Sequence, residues 1–182
     1  MKKDLVQTSV VILMVLVAAF SRLIPHLPNF TAVGAMAIFA GFLIPNRIIS
    51  IAIPLLAMWL SDLVINNIVY SSPDFMWLSP GFFWIYAGLF AHTVFAWLFR
   101  KPHISGIAGA SLAGAVTFFL LSNFGVWSGS AMYEKTSEGL ISCYTAALPF
   151  FGNMLAGNLI FSAILFGIYF ILAKQSQTFR TA

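Results

Sequence analysis

The chain has 182 residues, of which 60% are hydrophobic and only 8% are charged, and its formal net charge is +4. An ordinary soluble domain carries about 25% charged residues, and a globule of this size could not hide so much apolar surface from water. The composition therefore excludes a soluble, disordered or disulfide-rich protein and predicts one integral membrane domain. The basic residues lie singly or in pairs between apolar runs, which is typical of membrane-anchoring loops and argues against a nucleic-acid partner.

Six apolar runs follow one another along the chain. A helix that crosses a bilayer needs about 20 residues, because the hydrocarbon core is about 30 Å thick and a helix rises about 1.5 Å per residue. The second run is short and rich in Gly and Ala. We predict an all-α bundle of six transmembrane helices forming a single domain over residues 1–182. The predicted spans are Val6–Ile24, Thr31–Ile44, Arg47–Val69, Pro80–Phe99, Ser105–Ser122 and Phe150–Ala173.

The distribution of Lys and Arg predicts the orientation of these spans. With the amino terminus in the cytoplasm, seven of the nine basic residues fall in cytoplasmic segments, and only Arg22 and Lys135 fall outside. Cytoplasmic loops carry such an excess of positive charge. We therefore expect both termini in the cytoplasm and a multi-pass protein of the plasma (inner) membrane.

The longest polar connection runs from Asn123 to Leu148, and we expect it to form an outer lid. Gly139–Leu148 is interpreted as a short helix or re-entrant segment, separated from the last span by Pro149. Cys143 lies in this lid and is interpreted as a small packed hydrophobic residue. A soft metal ligand and a reactive thiol are the alternatives for this side chain.

The third span carries the clearest polar pattern. Trp59, Asp62, Asn66 and Tyr70 are spaced three, four and four residues apart, so at about 100° per residue they share one face of a helix. Polar residues are costly inside a bilayer and are therefore functional candidates. This face is either a wall of a ligand site or an interhelical hydrogen-bond network. We find no Lys or Arg at the depth of Asp62 in any predicted span, so an amide, a tyrosine hydroxyl or the solute is its expected partner.

Further polar and aromatic residues are predicted to converge on the same outer side. Several aromatics with a few amides and carboxylates suit a largely apolar organic solute that has some polar groups. With the stripe on the third span, these residues complete the predicted substrate site: Asn123, Trp127, Tyr133, Glu134 and Asn153.

Enzymatic signatures are missing from the sequence. It contains no phosphate-binding loop, no metalloprotease or hydrolase motif and no pair of acids within one predicted membrane helix. We therefore predict a protein that is not an enzyme, with no catalytic residue, metal or cofactor.

Small residues recur at four-residue spacing on the second and fifth spans. Ala37 and Gly41 form one such row, and Gly106, Ala110 and Gly114 form another. Such rows let helix backbones approach closely. They serve either packing within the chain or docking of a partner membrane subunit.

Several stretches resemble an uncharacterised family of bacterial membrane proteins, which is itself similar to the substrate-binding S components of energy-coupling factor vitamin transporters. The stretches are Arg22–Ala35, Leu60–Asn67, Ser122–Trp127, Tyr133–Leu140 and Cys143–Asn153. The resemblance implies a six-helix bundle with an outward ligand pocket that is capped by loops. It also implies uptake of a vitamin-type solute together with a separate membrane subunit and ATPases.

One feature of this sequence departs from the S components. They dock through a row of small residues on the first helix, and Val6–Ile24 has no pair of small residues four apart. Docking would then use the second or fifth span, or the protein would work alone. A membrane scaffold of the rod-shape-determining type and a small intramembrane enzyme are the alternative functions.

Overall fold

The computed structural model describes residues 2–71 and 73–175, and the side chains of residues 8–71 and 73–174. These residues form an all-α structure in which six α-helices follow one another without a strand. A 3-10 turn over Ser21–Leu23 continues α1, and a π-helical turn over Ile65–Val69 continues α3. The helices are α1 (Lys2–Phe20), α2 (Val33–Leu43), α3 (Arg47–Val64), α4 (Phe82–Phe99), α5 (Ile104–Gly129) and α6 (Ser137–Gln175).

Four of the described segments are long and apolar enough to cross a bilayer, which identifies a membrane protein. They are Arg47–Val69, Phe82–Phe99, Ile104–Gly129 and Ser137–Lys174. The apolar helices Thr8–Leu23 and Val33–Leu43 are shorter. With 11 residues, α2 rises only about 16 Å, roughly half of the hydrocarbon thickness.

Helix α2 lies in the centre of the bundle and contacts all five other helices. Ten of its 11 residues are buried, so α2 is a core element with no lipid-facing side. Small residues make this arrangement possible. A Cβ added at Gly41 would lie 2.7 Å from Cβ of Ala96 and 2.9 Å from the carbonyl oxygen of Thr93.

The rows of small residues serve packing within the chain, which is one of the two interpretations that the sequence left open. Ala37 and Ala110 are fully buried. A Cβ at Gly114 would lie 2.3 Å from the His92 ring, and one at Gly106 would lie 2.7 Å from the carbonyl oxygen of Lys101. These positions are already covered by other residues of the same chain, in α4 and in the connection that follows it.

The connections of the bundle divide between two ends. We call the end with segments 21–32, 65–81 and 130–136 the Arg22 end. The opposite end holds segments 44–46 and 100–103, and we call it the Arg100 end. Asn46 starts α3 there by accepting a hydrogen bond from Ile49 N at 3.1 Å, as an N-cap residue does. Gly81 precedes α4 at the Arg22 end with a φ of 71°, a conformation that favours glycine.

The predicted lid has a different structure from the one expected. Helix α5 continues seven residues beyond Ser122 to Gly129, and α6 begins at Ser137 and runs unbroken past Pro149. Only residues 130–136 lie between the two helices. Segment 123–148 is therefore mostly helical. Gly139–Leu148 is helical, as one of its two interpretations had it, but the expected break at Pro149 is wrong. Within a helix of 39 residues, the loss of one backbone donor at a proline is tolerated because many other helical and packing contacts remain.

Candidate functional site

An ion pair lies at the centre of the Arg22 end. Arg22 Nη1 donates to Asp62 Oδ1 across 2.7 Å, and the two side chains are only 15% and 8% exposed. The same nitrogen lies 2.6 Å from Ser61 Oγ and 3.0 Å from Met58 Sδ. Our prediction that no basic residue shares the depth of Asp62 is therefore wrong. The turn after α1 places Arg22 where its long side chain reaches α3, and the pairing removes the large cost of a lone buried carboxylate.

Polar side chains of α3 also hold the chain that follows it. Trp59 Nε1 donates to the carbonyl oxygen of Trp77 at 3.0 Å. Asn66 Nδ2 donates to Ser79 Oγ at 2.9 Å, and that hydroxyl donates to Asp62 Oδ2 at 3.3 Å. Three members of the predicted polar stripe thus have partners within the chain. This is the geometry of the hydrogen-bond network that the sequence allowed, and binding of a solute by these residues stays a prediction.

Asn67, which lies beside the stripe, makes the closest connection to the same segment. Its Nδ2 donates to the carbonyl oxygens of Leu63 and Met76, each at 2.9 Å, and its Oδ1 accepts from Met76 N at 2.7 Å. The π-helical turn Ile65–Val69 contains both asparagines, and turns of this kind are frequent at functional sites. Asn66 and Asn67 together fasten the segment before α4 to the end of α3.

Two adjoining cavities open between the helices at the Arg22 end. The mouth cavity has a volume of about 590 Å³, and its lining includes His26, Asp62, Asn66 and Tyr70. The deep cavity has a volume of about 330 Å³ and is mainly apolar. Both cavities are lined by the same five residues where they meet, namely Arg22, Asn29, Thr31, Met58 and Ile85.

The predicted site residues divide between the cavities and the surrounding framework. Asp62, Asn66 and Tyr70 line the mouth cavity, and Asn123 lines the deep cavity. The other five line neither of these two cavities, namely Trp59, Trp127, Tyr133, Glu134 and Asn153.

Two of these five residues, Trp127 and Asn153, connect neighbouring segments through side-chain hydrogen bonds, as Trp59 does. Trp127 Nε1 donates to the carbonyl oxygen of Glu134 at 2.9 Å, which closes the turn between α5 and α6. Asn153 Nδ2 donates to the carbonyl oxygen of Pro28 at 3.1 Å and ties the segment after α1 to α6. These contacts give the side chains of Trp127 and Asn153 a structural role.

A buried polar pair lies in the wall of the deep cavity. His92 of α4 and Asn158 of α6 are 1% and 2% exposed, and His92 Nε2 lies 3.1 Å from Asn158 Nδ2. His92 Nδ1 lies 2.9 Å from the carbonyl oxygen of Gly88. A carbonyl only accepts, so Nδ1 carries the proton and the neutral ring accepts at Nε2 from the amide of Asn158. The Asn158 oxygen is thereby directed away from the ring.

Arg22, His92 and Asn158 are central to this site, and none of the three is among the predicted substrate-site residues. Arg22 lies inside the predicted span Val6–Ile24, and His92 is the only titratable side chain other than tyrosine within α4. An ionisable residue inside an apolar run is itself a functional signal. We assigned Arg22 to a loop because of the charge bias, and that assignment concealed the signal.

Cys143 is buried, with its Sγ 3.5 Å from the carbonyl oxygen of Asn123, and it packs as a small apolar residue. Among the described residues no group of three or more His, Cys, Asp or Glu side chains is arranged to hold a metal ion.

Comparison with known proteins gives one result. No curated protein and no solved structure matches the chain. The model of one family matches residues 2–180, which is nearly the whole chain. The chain therefore belongs to the family of unknown function DUF6580.

Proposed function

We propose that this chain is a multi-pass protein of the plasma (inner) membrane that binds a small organic solute at its Arg22 end for uptake into the cell. In this proposal six helices cross the membrane, both termini are cytoplasmic and the Arg22 end faces outward. Helix α2 completes its crossing with the connection 24–32, which contributes to the wall of the mouth cavity.

The orientation is supported by the two exceptions to the charge bias. Arg22 is paired with Asp62. Lys135 Nζ donates to the carbonyl oxygens of Ser130, at 2.5 Å, and Trp127. Both outward cations are therefore held by contacts within the chain, and the other seven basic residues all fall on the proposed cytoplasmic side.

The joined cavities are the observation that carries the proposal. Their volumes of about 330 and 590 Å³ fall in the range of about 300–1,000 Å³ that is typical of ligand sites. A mainly apolar chamber with a few converging polar groups is the usual form of such a site. A bundle that served only as a scaffold would have no need of this space.

The resemblance to S components of energy-coupling factor transporters supports uptake as the purpose of binding. On that comparison a separate membrane subunit with ATPases would drive release of the solute into the cytoplasm. The small-residue rows on α2 and α5 are occupied within the chain, so such a partner would dock elsewhere.

Mass spectrometry of small molecules that copurify with the protein tests solute binding. Ala147 lines the deep cavity, whereas its neighbour Ala146 is exposed and lines neither cavity. Ala147→Trp should fill the cavity, and Ala146→Trp is the matched control. We expect at least one organic molecule that copurifies with the wild type and with Ala146→Trp and is lost from Ala147→Trp.

Two outcomes would contradict the proposal. One is that folded wild type and both variants carry the same set of molecules. The other is that no preparation from cells carries a molecule beyond lipid and detergent. A scaffold predicts either of these results, together with normal function of Ala147→Trp in cells.

A further inference from the structure

The guanidinium of Arg22 uses only one of its three nitrogens within the described chain. Nη1 makes the contacts to Met58, Ser61 and Asp62. An arginine has five N–H donors, and the edge formed by Nε and Nη2 can bind a planar carboxylate through two parallel hydrogen bonds. In Arg22 that edge has no acceptor among the described residues.

The free edge belongs to a side chain that lines the cavities. Arg22 lines both of them. In the described part of the chain, two side-chain polar atoms have neither accessible surface nor a hydrogen-bond partner, namely the hydroxyl oxygens of Ser111 and Ser162. Nε and Nη2 of Arg22 therefore have no partner but keep some accessible surface. Their N–H groups can donate to a molecule in the cavities.

A second unpartnered group lies deeper in the same space. Asn158 is 2% exposed and lines the deep cavity. Its amide nitrogen is used by His92, and its oxygen has no donor among the described residues. This oxygen is not among the unpartnered atoms that lack accessible surface. Since Asn158 lines the deep cavity, the oxygen borders that cavity. Buried amide oxygens are normally hydrogen-bonded, so the fold holds an acceptor here that lacks its donor.

The surroundings fix this acceptor in place. A Cβ added at Gly34 would lie 2.3 Å from Asn158 Oδ1 and 2.6 Å from His92 Nε2, so the backbone of α2 closes one side of the pair. His92 lies ten residues after Phe82, about 15 Å along α4. The deep cavity is thus lined both by Arg22 and by Asn158, and the partner of Asn158, His92, lies well inside the bundle.

We infer that the solute is an organic carboxylate: its carboxylate binds the Nε–Nη2 edge of Arg22, and an N–H or O–H at its far end donates to Asn158 Oδ1. This inference rests on the proposed function and adds the chemical class of the solute. The body between the two polar ends is apolar, because Phe118, Phe119 and Phe151 line the same cavity as Arg22 and Asn158. Asp62 has a positioning role here, since it holds Nη1 and leaves the other edge free.

Three related compounds test this class on the wild-type protein in nanodiscs. Phloretate carries a carboxylate, an aromatic ring and a phenolic O–H at the far end. Hydrocinnamate lacks the hydroxyl, and phloretamide lacks the charge. By titration calorimetry we expect phloretate to bind about tenfold or more tightly than phloretamide, and about three- to tenfold more tightly than hydrocinnamate. Unspecific binding to an apolar cavity would favour hydrocinnamate, which is the more hydrophobic acid.

Variants assign each preference to its residue. Combining Arg22→Gln with Asp62→Asn removes both charges and should abolish the preference for the acid over the amide, while the preference for the hydroxyl remains. Asn158→Leu should abolish the preference for the hydroxyl and keep the preference for the acid over the amide. Lys135→Gln removes an outward charge that lines neither cavity and should keep both preferences. Gel filtration and melting temperature verify that each variant is folded.

The ligand-side comparison decides the matter even if a variant does not fold. Equal affinity of the wild type for phloretate and phloretamide, or tighter binding of hydrocinnamate than of phloretate, would overturn the inference. The absence of saturable phloretate binding at millimolar concentration would overturn it as well. None of these results would contradict the proposed function, whose test is the set of molecules that copurify with the wild type and with Ala147→Trp.

Discussion

The two ends of the bundle are built differently from the same helices. Towards the Arg100 end, Phe39 is fully buried and its ring contacts those of Phe166 and Tyr169, with centroids 5.0 and 5.9 Å away. Towards the Arg22 end the helices separate around two cavities, and polar side chains replace apolar contacts. Binding sites need open space and unpaired polar groups, which reduce stability. The half of the bundle towards the Arg100 end (the Arg100 half) therefore provides stability, and the half towards the Arg22 end (the Arg22 half) uses part of it.

The largest contrast is expected between two phenylalanines, one in each half. Phe39→Ala should lower the free energy of unfolding by about 3–5 kcal/mol, as truncation of a fully buried aromatic does. Phe151 is partly exposed and lines the deep cavity, so part of its surface already faces empty space. Phe151→Ala should therefore cost less than half as much. Thermal melting in detergent compares the two, and equal losses would contradict the division of the bundle.

The Arg22–Asp62 pair is expected to have the next largest effect. Arg22→Gln leaves a buried carboxylate unpaired and should cost about 3 kcal/mol, the lower end of the range for buried pairs because Arg22 keeps 15% exposure. Adding Asp62→Asn removes the stranded charge and should restore more than half of the loss. If the double variant melted at or below the temperature of Arg22→Gln, the pair would not be the reason for the loss.

Overpacking of the Arg100 half should have a smaller effect. Gly41→Leu forces a side chain against Ala96 and the backbone of Thr93, whereas a Cβ at Gly167 of α6 meets nothing within 4 Å. We expect Gly41→Leu to cost about 1–3 kcal/mol and Gly167→Leu to leave the melting temperature nearly unchanged. Similar melting temperatures for the two variants would show that α2 is packed less tightly than its burial indicates.

The sequence predicted the helices better than it predicted their ends. Long apolar runs fix where α3 and α4 lie, because only helices satisfy the backbone in a bilayer. The sequence does not predict the end of α5, since Asn123–Gly129 contains the Gly and Ser residues that usually mark loops. It allows a helix over Gly139–Leu148 but separates that helix from the last span at Pro149. Only packing against neighbouring helices shows that these residues remain helical.

The sequence also predicts the site only in part: it indicates residues that share one helix, but not pairs formed between distant segments. The spacing of Asp62, Asn66 and Tyr70 is visible within one helix, and all three line the mouth cavity. Arg22 lies 40 residues before Asp62, and a pairing between distant segments leaves no trace in the periodicity of either one. The same is true of His92 and Asn158, which are 66 residues apart.

The smallest effect is expected at Asn67, in the Arg22 half. It distinguishes residues that support the cavities from residues that line them. Asn67 lines neither cavity, but its amide forms two hydrogen bonds with the backbone of Met76. Asn67→Ala removes both and should cost about 1–2 kcal/mol, since each such bond contributes about 0.5–1.5 kcal/mol.

The loss should appear locally, because Asn66 and Trp59 still hold Ser79 and Trp77. Hydrogen exchange at the Met76 amide should quicken, while exchange in α2 stays unchanged. Asn67→Asp is the matched variant: it keeps the acceptor for Met76 N but turns a carboxylate oxygen towards the carbonyls of Leu63 and Met76, so we expect a loss at least as large as that of Asn67→Ala. Faster exchange throughout α2 in Asn67→Ala would instead mean that the two halves unfold as one unit, because the stability of the Arg100 half would then depend on a contact made only at the Arg22 end.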